Sequence, residues 1–389
     1  MTSDQRKLLT LSQRRDASEH TIYDVIVWVP DPRAPKSTGK LIPKGPLLMK
    51  LPIRARDSLL DYCFVTSPKK ELWMSFRTIM PEFSNLPIPI ISRLHVKITT
   101  HLHVVSSSEV VREPEVVVRS NYRANTVSVR EHALVQPQIL EGHNGGKTIY
   151  VQAPNSKEWK PVMIESDTWV GFNSHELLLV NPGATFPSIS YIYAIFACKN
   201  AWFIDSLSLN YFTEWARGDK CQWQSTQVQF PEMHNTLFDI ETPHSTHTVV
   251  TYDKGSKSYR LYVFFCNFHK PSVVVYFYLS LRSDGSVNTV GDKIQAQGLQ
   301  LIPTQRSDSS NIFRVEEAYD RVYCIWNQDG RMSGSSAEIG SDGIIKDKWL
   351  DFCDESKRPY LSPGSGLGSI AAPVNFCITP ENDYVNSGL

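Results

Sequence analysis

Charge of one sign, long apolar runs and paired cysteines are all missing from this 389-residue chain. Its 40 Lys and Arg residues balance 40 Asp and Glu, so the formal net charge is zero, and no long run of one sign breaks that balance. A polyanion is recognised through a basic surface, so neither nucleic acid nor acidic lipid is an expected partner. No stretch approaches the run of about 18 apolar residues that crosses a bilayer. The opening MTSDQRKLLTLSQRRDASEH is polar and basic and lacks the apolar core of a secretory signal. The expectation is a soluble cytoplasmic protein without a membrane span. Seven cysteines, an odd number with no C-x-x-C pair, read as reduced thiols. Cys198, Cys266 and Cys324 each close an apolar run, YIYAIFAC, RLYVFFC and RVYC, where a small soft hydrophobe suits a crowded inner strand.

Catalytic and cofactor motifs are equally scarce. The glycines of NPGAT and EGHNGGK are not followed by the Lys-Ser/Thr of a phosphate loop, and SPGSGLGS lies between no strand and helix that would make it a dinucleotide site. No nucleophile elbow or H-E-x-x-H pattern occurs. Glu113, Glu115, Glu316 and Glu317 are the acids available for paired-carboxylate chemistry, although adjacent acids at strand ends are usually solvated. His95, His101 and His103 share one face of an expected strand, as metal ligands on a sheet do, but without a carboxylate partner they read as a polar edge. No cofactor or metal is expected, and the balance leans away from an enzyme.

What is present is strand. Short runs of Val, Ile, Tyr, Phe and Thr, such as YDVIVWV, PEVVVRS, KTIYVQA, SYRLYVFF and SVVVYFYLSL, are bounded by Gly, Pro, Asn, Asp and Ser, with the 24 prolines mostly between runs. Helix is expected only over Arg6 to Arg15 and Arg56 to Tyr62. The runs also repeat. From Thr246 four strands read HTVVTY, SYRLYVFF, SVVVYFYLSL and SVNTVGDKI; from Asn311 they read NIFRVEEA, DRVYCIW, RMSGSSAEIG and IIKDKWL. A looser copy precedes them: ELLLV, SISYIYAIFA, AWFIDSLSLNYF and CQWQSTQV. Arg260 and Arg321 lie 61 positions apart, and Asp284 and Asp342 lie 58 apart, so two independent landmarks give one spacing. Asp-Gly turns punctuate the units at Asp284-Gly285, Asp329-Gly330 and Asp342-Gly343, the first and last of them before the fourth strand of their copies.

Serial four-stranded units that cannot bury both faces alone stack radially. The expected fold is therefore all-β, a β-propeller of about six four-stranded blades. The alternative is an N-terminal β-sandwich followed by a C-terminal β-repeat domain. The layout expected is a flexible segment over 1–20, one β-repeat domain over 21–378 with a split near 145–150 as the alternative, and a tail over 379–389.

The fragments RLYVFF, VVVYFYL-SDG and RVYCIWNQDGRMSGSS-SDG-W resemble the blade pattern of the six-bladed fucose-specific lectins, and Gly368 to Phe376 is similar to that family's first-strand opening. The resemblance implies a sugar site built from a strand-two Arg, a strand-three Glu and a neighbouring aromatic. Guanidinium and carboxylate engage vicinal hydroxyls while an aromatic face covers the C–H side of the ring. Carried over, the arginines are Arg260 and Arg321 and the aromatics Trp215 and Trp349. The acid fails in two units, falling on Gly334 and near Val275; the earlier copy keeps Asp205 but has Ile192 in place of the Arg. The ligand-binding candidates are thus Arg260, Arg321, Asp205, Trp215 and Trp349. Three readings follow: a non-catalytic lectin-like propeller for a neutral glycan or other small ligand; a structural or protein-interaction β protein, including a viral or assembly component; and an enzyme with a propeller-borne pocket.

Overall fold

A computed structural model describes the backbone of residues 6–15, 21–49, 58–66, 72–79, 91–98, 111–114, 127–129, 133–139, 147–152, 159–165, 178–180, 182, 186, 188–198, 201–208, 221–222, 224–231, 243–267, 270–303, 313–328, 331–352 and 376–380, with side chains mainly from 28–43 and between 180 and 352. Among the described residues every regular element is a strand, apart from one 3-10 turn at Lys36–Thr38. None forms a helix long and apolar enough to cross a membrane.

The strands make six sheets. The first combines β1 (Arg6–Arg15), β2 (Thr21–Pro30) and β3 (Leu41–Met49) with β26 (Phe376–Pro380), in the order β26-β1-β2-β3. The second is β4 (Ser58–Thr66), β5 (Leu72–Ile79), β6 (Ile91–Ile98) and β7 (Val111–Pro114). The third holds β8 (Val127–Val129), β9 (Ala133–Ile139), β10 (Lys147–Gln152) and β11 (Trp159–Glu165). The fourth holds β12 (Leu178–Val180), β13 (Tyr191–Cys198), β14 (Ala201–Ser208) and β16 (Gln224–Gln229), with β15 (Cys221–Gln222) pairing back onto β11. The fifth is β17 (Pro243–Asp253), β18 (Ser258–Asn267), β19 (Lys270–Leu281) and β21 (Gln297–Pro303), with β20 (Lys293–Gln295) pairing back onto β16. The sixth is β22 (Phe313–Ala318), β23 (Arg321–Gln328), β24 (Arg331–Glu338) and β25 (Leu350–Asp351).

Each sheet is an open antiparallel meander, and the ring comes from their stacking. The inner strands neighbour one another in cyclic order: β26 beside β4, β4 beside β8, β9, next to β8 in the third blade, beside β12, β12 beside β17, β17 beside β22, and β22 beside β26. The fold is a β-propeller of six blades. Its first blade takes its innermost strand from the far end of the chain, with Leu8 opposite Ile378 on one side and Trp28 on the other.

Stacking explains why the strands read as unbroken apolar runs. In β18, Tyr259, Leu261, Val263 and Phe265 join a core with Tyr193, Ile195, Trp202 and Ile204 of the fourth blade. The intervening Tyr262, Phe264 and Cys266 join a second core with Val322, Cys324 and Trp326 of the sixth. Tyr323 and Ile325, alternating with those, meet Trp28 and Leu41 of the first blade. A strand buried on both faces needs an apolar residue at every position, not at every second one. Cys266 and Cys324 are buried in the second of these cores.

Several expectations change. Arg6 to Arg15, expected as helix, is strand β1, because β2 and β26 supply backbone partners on both sides; Arg56 to Tyr62 falls largely in β4 rather than a helix. The segment 1–20 therefore contributes a strand, and β26 extends to Pro380. In the fifth blade SVNTVGDKI is not the fourth strand. Val287 and Val290 make only isolated bridges, and the strand beside β19 is β21. The region near 145–150 opens β10, in the middle of the third sheet.

Candidate functional site at the blade seams

Three seams share one device among the described residues. The turn after the third strand of a blade reaches back onto the first two strands of the blade before it. Ser283-Asp284-Gly285 of the fifth blade docks on the fourth: Ser190 N donates to Asp284 O at 3.4 Å and the Tyr193 hydroxyl donates to Gly285 O. Ser341-Asp342-Gly343 of the sixth docks on the fifth: Thr251 Oγ1 donates to Gly343 O at 2.6 Å, and Ile345 N donates to the Tyr262 hydroxyl at 3.1 Å. In the first blade, Ser37-Thr38-Gly39 performs the same task on the sixth, where Arg321 Nη1 donates to Ser37 O at 3.1 Å. The aspartates fold the turns: Asp284 accepts from Ser286 N at 2.8 Å and Asp342 from Ile344 N at 3.0 Å. Gly39, Gly285 and Gly343 have φ of 62°, 89° and 75°, a region that glycine enters without a Cβ clash. Each also faces the neighbouring blade so closely that a Cβ would strike Arg321, Ile189 or the Tyr252 backbone.

This device fixes what the two candidate arginines do. Arg321 opens β23 and is 5% exposed. Its Nε donates to Ser336 Oγ at 3.2 Å and Nη2 to Ser336 O at 3.3 Å, alongside the Ser37 bond. Burial lowers its pKa, and the nearby tyrosine and Glu338 oppose that shift. Arg321 is thus a seal between the sixth and first blades. Arg260, the corresponding residue of the fifth blade, is less enclosed. Nη2 pairs with Asp253 at 3.1 Å, Nη1 donates to Asp342 O, and the guanidinium lies 5.6 Å from the Tyr278 ring centre. Asp253 is held down at a pKa of about 2 by hydrogen bonds from the Ser256 side chain and backbone, then Gly255 and Arg260. Arg260 Nε is buried and has no hydrogen-bond acceptor.

Trp349 comes to the same seam. Its ring packs edge-on to Tyr276 of the fifth blade, centres 5.8 Å apart at 66°. The indole nears the Tyr276 hydroxyl closely enough to oppose the upward shift that burial gives the phenol, yet makes no hydrogen bond of good geometry, so Nε1 is buried without an acceptor. Trp326 Nε1 and Ser335 Oγ share that condition. Trp326 belongs to the core between these blades, and Ser335 stands opposite Cys324, which lines it too. Four donors without acceptors therefore line one seam, among the described residues.

The other candidates separate. Asp205 is fully buried on β14, cross-strand from Ala194 and Ser225; its neighbour Ile204 faces the fifth blade, so Asp205 faces the third. Trp215 lies outside the described residues. Gly334, where a family acid would stand, has no room for one: a Cβ would strike the Phe352 ring and Cys324 O. Val275 is core between the fourth and fifth blades. Glu316 and Glu317 are consecutive in β22 and so point to opposite faces rather than forming a pair. Glu113 is known only by its backbone in β7, as is His95 in β6, while Glu115, His101 and His103 lie outside the described residues. Among the described residues no three His, Cys, Asp or Glu gather as metal ligands. Sequence reasoning missed Thr251, Tyr262 and Ser336; the recurrent Ser-x-Gly turn, which also occurs at Ser37-Thr38-Gly39, was the available signal.

No family model matches the chain, and no curated protein matches it. Solved structures similar to it include a protein of unknown function from Dyadobacter fermentans, at 12% identity and a TM-score of 0.44 over 86% of this chain and 95% of that one. TolB from Acinetobacter baumannii is 9% identical with a TM-score of 0.42, covering 90% of this chain and 67% of its own. The α-L-arabinanase of Penicillium chrysogenum, complexed with arabinobiose, is 10% identical with a TM-score of 0.42, covering 77% and 81%.

Proposed function

We propose that this propeller is a non-catalytic, lectin-like binder of a neutral polyhydroxylated ligand, seated at the rim of the seam between the fifth and sixth blades. One observation carries the reading. Arg260 Nε and Trp349 Nε1 are buried donors without acceptors, whereas Arg321, in the equivalent place one blade on, has all three of its nitrogens engaged. A buried donor left unmade costs about 1–3 kcal/mol, so such groups are where an acceptor is expected. A sugar hydroxyl supplies one without adding charge. Tyr278 and Trp349 offer aromatic surface beside it, and Asp253, ionised down to a pKa of about 2, supplies an acceptor.

The test is a neutral-glycan array followed by titration calorimetry on the best binder. Trp349→Phe keeps a ring and removes the N–H, and should weaken binding by about tenfold, the value of one hydrogen bond of about 1.4 kcal/mol. Arg321→Lys should leave affinity unchanged per folded molecule. Binding that ignores Trp349→Phe moves the site elsewhere, and an array with no binder ends the lectin-like reading.

A further inference from the structure

Arg260 and Arg321 lie near the start of the second strands of consecutive blades, and one residue of the third strand distinguishes their surroundings. Ser336 fills Arg321 Nε, its Oγ accepting at 3.2 Å. Ser336 stands opposite Tyr323 across β23 and β24. Tyr262 lies 61 positions before Tyr323, as Arg260 lies before Arg321, and the residue opposite Tyr262 is Tyr278. The fifth blade therefore sets a tyrosine where the sixth sets the serine that fills the guanidinium. The turns close accordingly. A Cβ on Gly39 would meet both Arg321 Nε and Ser336 Oγ, so the first blade's turn presses that pair together, whereas a Cβ on Gly343 would meet Arg260 at Nη1. Asp342 O engages Arg260 Nη1 and Asp253 engages Nη2, which leaves Nε without an acceptor among the described residues.

A tyrosine ring needs space that a serine does not, and the outer strand supplies it. Tyr276 stands opposite Gln300, but Tyr278 stands opposite Gln297, so β21 carries an extra residue there. Gly298, within this bulge, has φ 58°. A Cβ on it would come 2.7 Å from Tyr278 Cε1 and 3.0 Å from Cδ1, closer than the ring allows. Lying against Gly298, the ring also neighbours the Tyr262 ring, 5.1 Å between centres, and the Arg260 guanidinium at 5.6 Å. A phenol carries its oxygen at the far end of a rigid ring, where a serine carries its own on Cβ.

We propose that Tyr278, seated by the Gly298 bulge, is the specificity-determining residue of the seam between the fifth and sixth blades. By standing where the sixth blade has Ser336, it withholds an internal acceptor from Arg260 Nε and leaves that N–H to an oxygen of the ligand. The ligand half of this inference rests on the lectin-like reading; the state of Nε rests on the chain alone. Asp253 already neutralises the guanidinium, so the oxygen selected is a neutral hydroxyl or ring oxygen rather than a carboxylate.

Tyr278→Ser and Tyr278→Ala separate the two effects, because both remove the ring and only serine supplies an acceptor. In the full chain without glycan, the Arg260 Nε–H, followed by NMR with isotope-labelled arginine and assigned through Arg260→Lys, should exchange about tenfold more slowly in Tyr278→Ser than in Tyr278→Ala. Titrated on one array of neutral glycans, Tyr278→Ser should bind about tenfold more weakly than Tyr278→Ala. Equal exchange overturns the proposal whatever binds. Slower exchange with equal array affinities overturns it as well, since Nε then touches no ligand. Slower exchange with no glycan bound by the wild-type chain ends the lectin-like reading while upholding the hold of Tyr278 on the donor. If either tyrosine variant fails to fold, Gly298→Ala moves the same ring from the other side; it should shift the Arg260 Nε–H resonance, and an unmoved resonance refutes the part given to the bulge.

Discussion

Replacing Arg321 with alanine should cost stability and leave any ligand affinity alone. The guanidinium makes three hydrogen bonds at 3.1–3.3 Å, two to Ser336 and one to Ser37, which lies 284 positions away in the first blade. Bonds from a charged donor contribute about 1.5–3 kcal/mol each, offset by the cost of dehydrating a guanidinium that is 5% exposed. Truncation also leaves Ser37 O and Ser336 O short of a donor. The net expectation is a loss of about 2–4 kcal/mol. Lysine, with a point charge in place of a fork, should recover less than half of it. Urea unfolding followed by tryptophan fluorescence suits the question, because Trp28 is fully buried beside Tyr323 and Phe352 in this seam. Arg260→Ala is the internal control and should cost less, because its guanidinium bonds one carboxylate and one carbonyl and leaves Nε unused. If the Arg321→Ala midpoint stays within about 0.5 kcal/mol of wild type, the residue is not a seal, and the argument that the seams use up this arginine fails.

Other outcomes follow from the same geometry. Gly39→Ala places a Cβ on the Arg321 guanidinium at φ 62° and should destabilise by about 1–3 kcal/mol in thermal unfolding; Gly255→Ala, where φ is not positive and only Asp253 Oδ1 is near, should be milder. Leu261→Ala, in the core between the fourth and fifth blades, should cost about 2–5 kcal/mol. Gly334→Glu, which would restore the acid of the lectin pattern, should yield insoluble or unfolded chain rather than a sugar site, as judged by circular dichroism. The Asp253 pKa of about 2 lies below its usual 3.8, so its contribution is complete above about pH 4 and fades as pH falls towards 2. Urea midpoints across that window should slope less steeply in Asp253→Asn, and equal slopes would refute the assignment.

The repeated C-terminal half was legible because its landmarks are covalent facts: the 61-position spacing of Arg260 and Arg321 and the Ser-Asp-Gly turns stand in the chain whatever it folds into. The N-terminal strands were visible one by one, but their grouping was not, since their turns do not repeat. Arg6 to Arg15 is strand rather than the expected helix because pairing with β2 and with a strand more than three hundred residues away overrides local preference. The fourth strand of the fifth blade was misplaced for a related reason. An outer strand is chosen by its fit against β19, which β21 supplies while Val287 and Val290 make only isolated bridges.

Composition and periodicity thus determined by themselves that the chain is all-β, built of four-stranded units with both faces apolar, and neutral overall. Only the tertiary structure decided what its polar residues are for. Arg260 and Arg321 occupy equivalent positions in strands of similar apolar pattern, yet one guanidinium is enclosed by Ser336 and the first blade while the other retains an unfilled donor at its seam. The difference comes from the turn delivered by the next blade. Hydrogen bonds are satisfied through space by groups that the local sequence of either arginine does not contain.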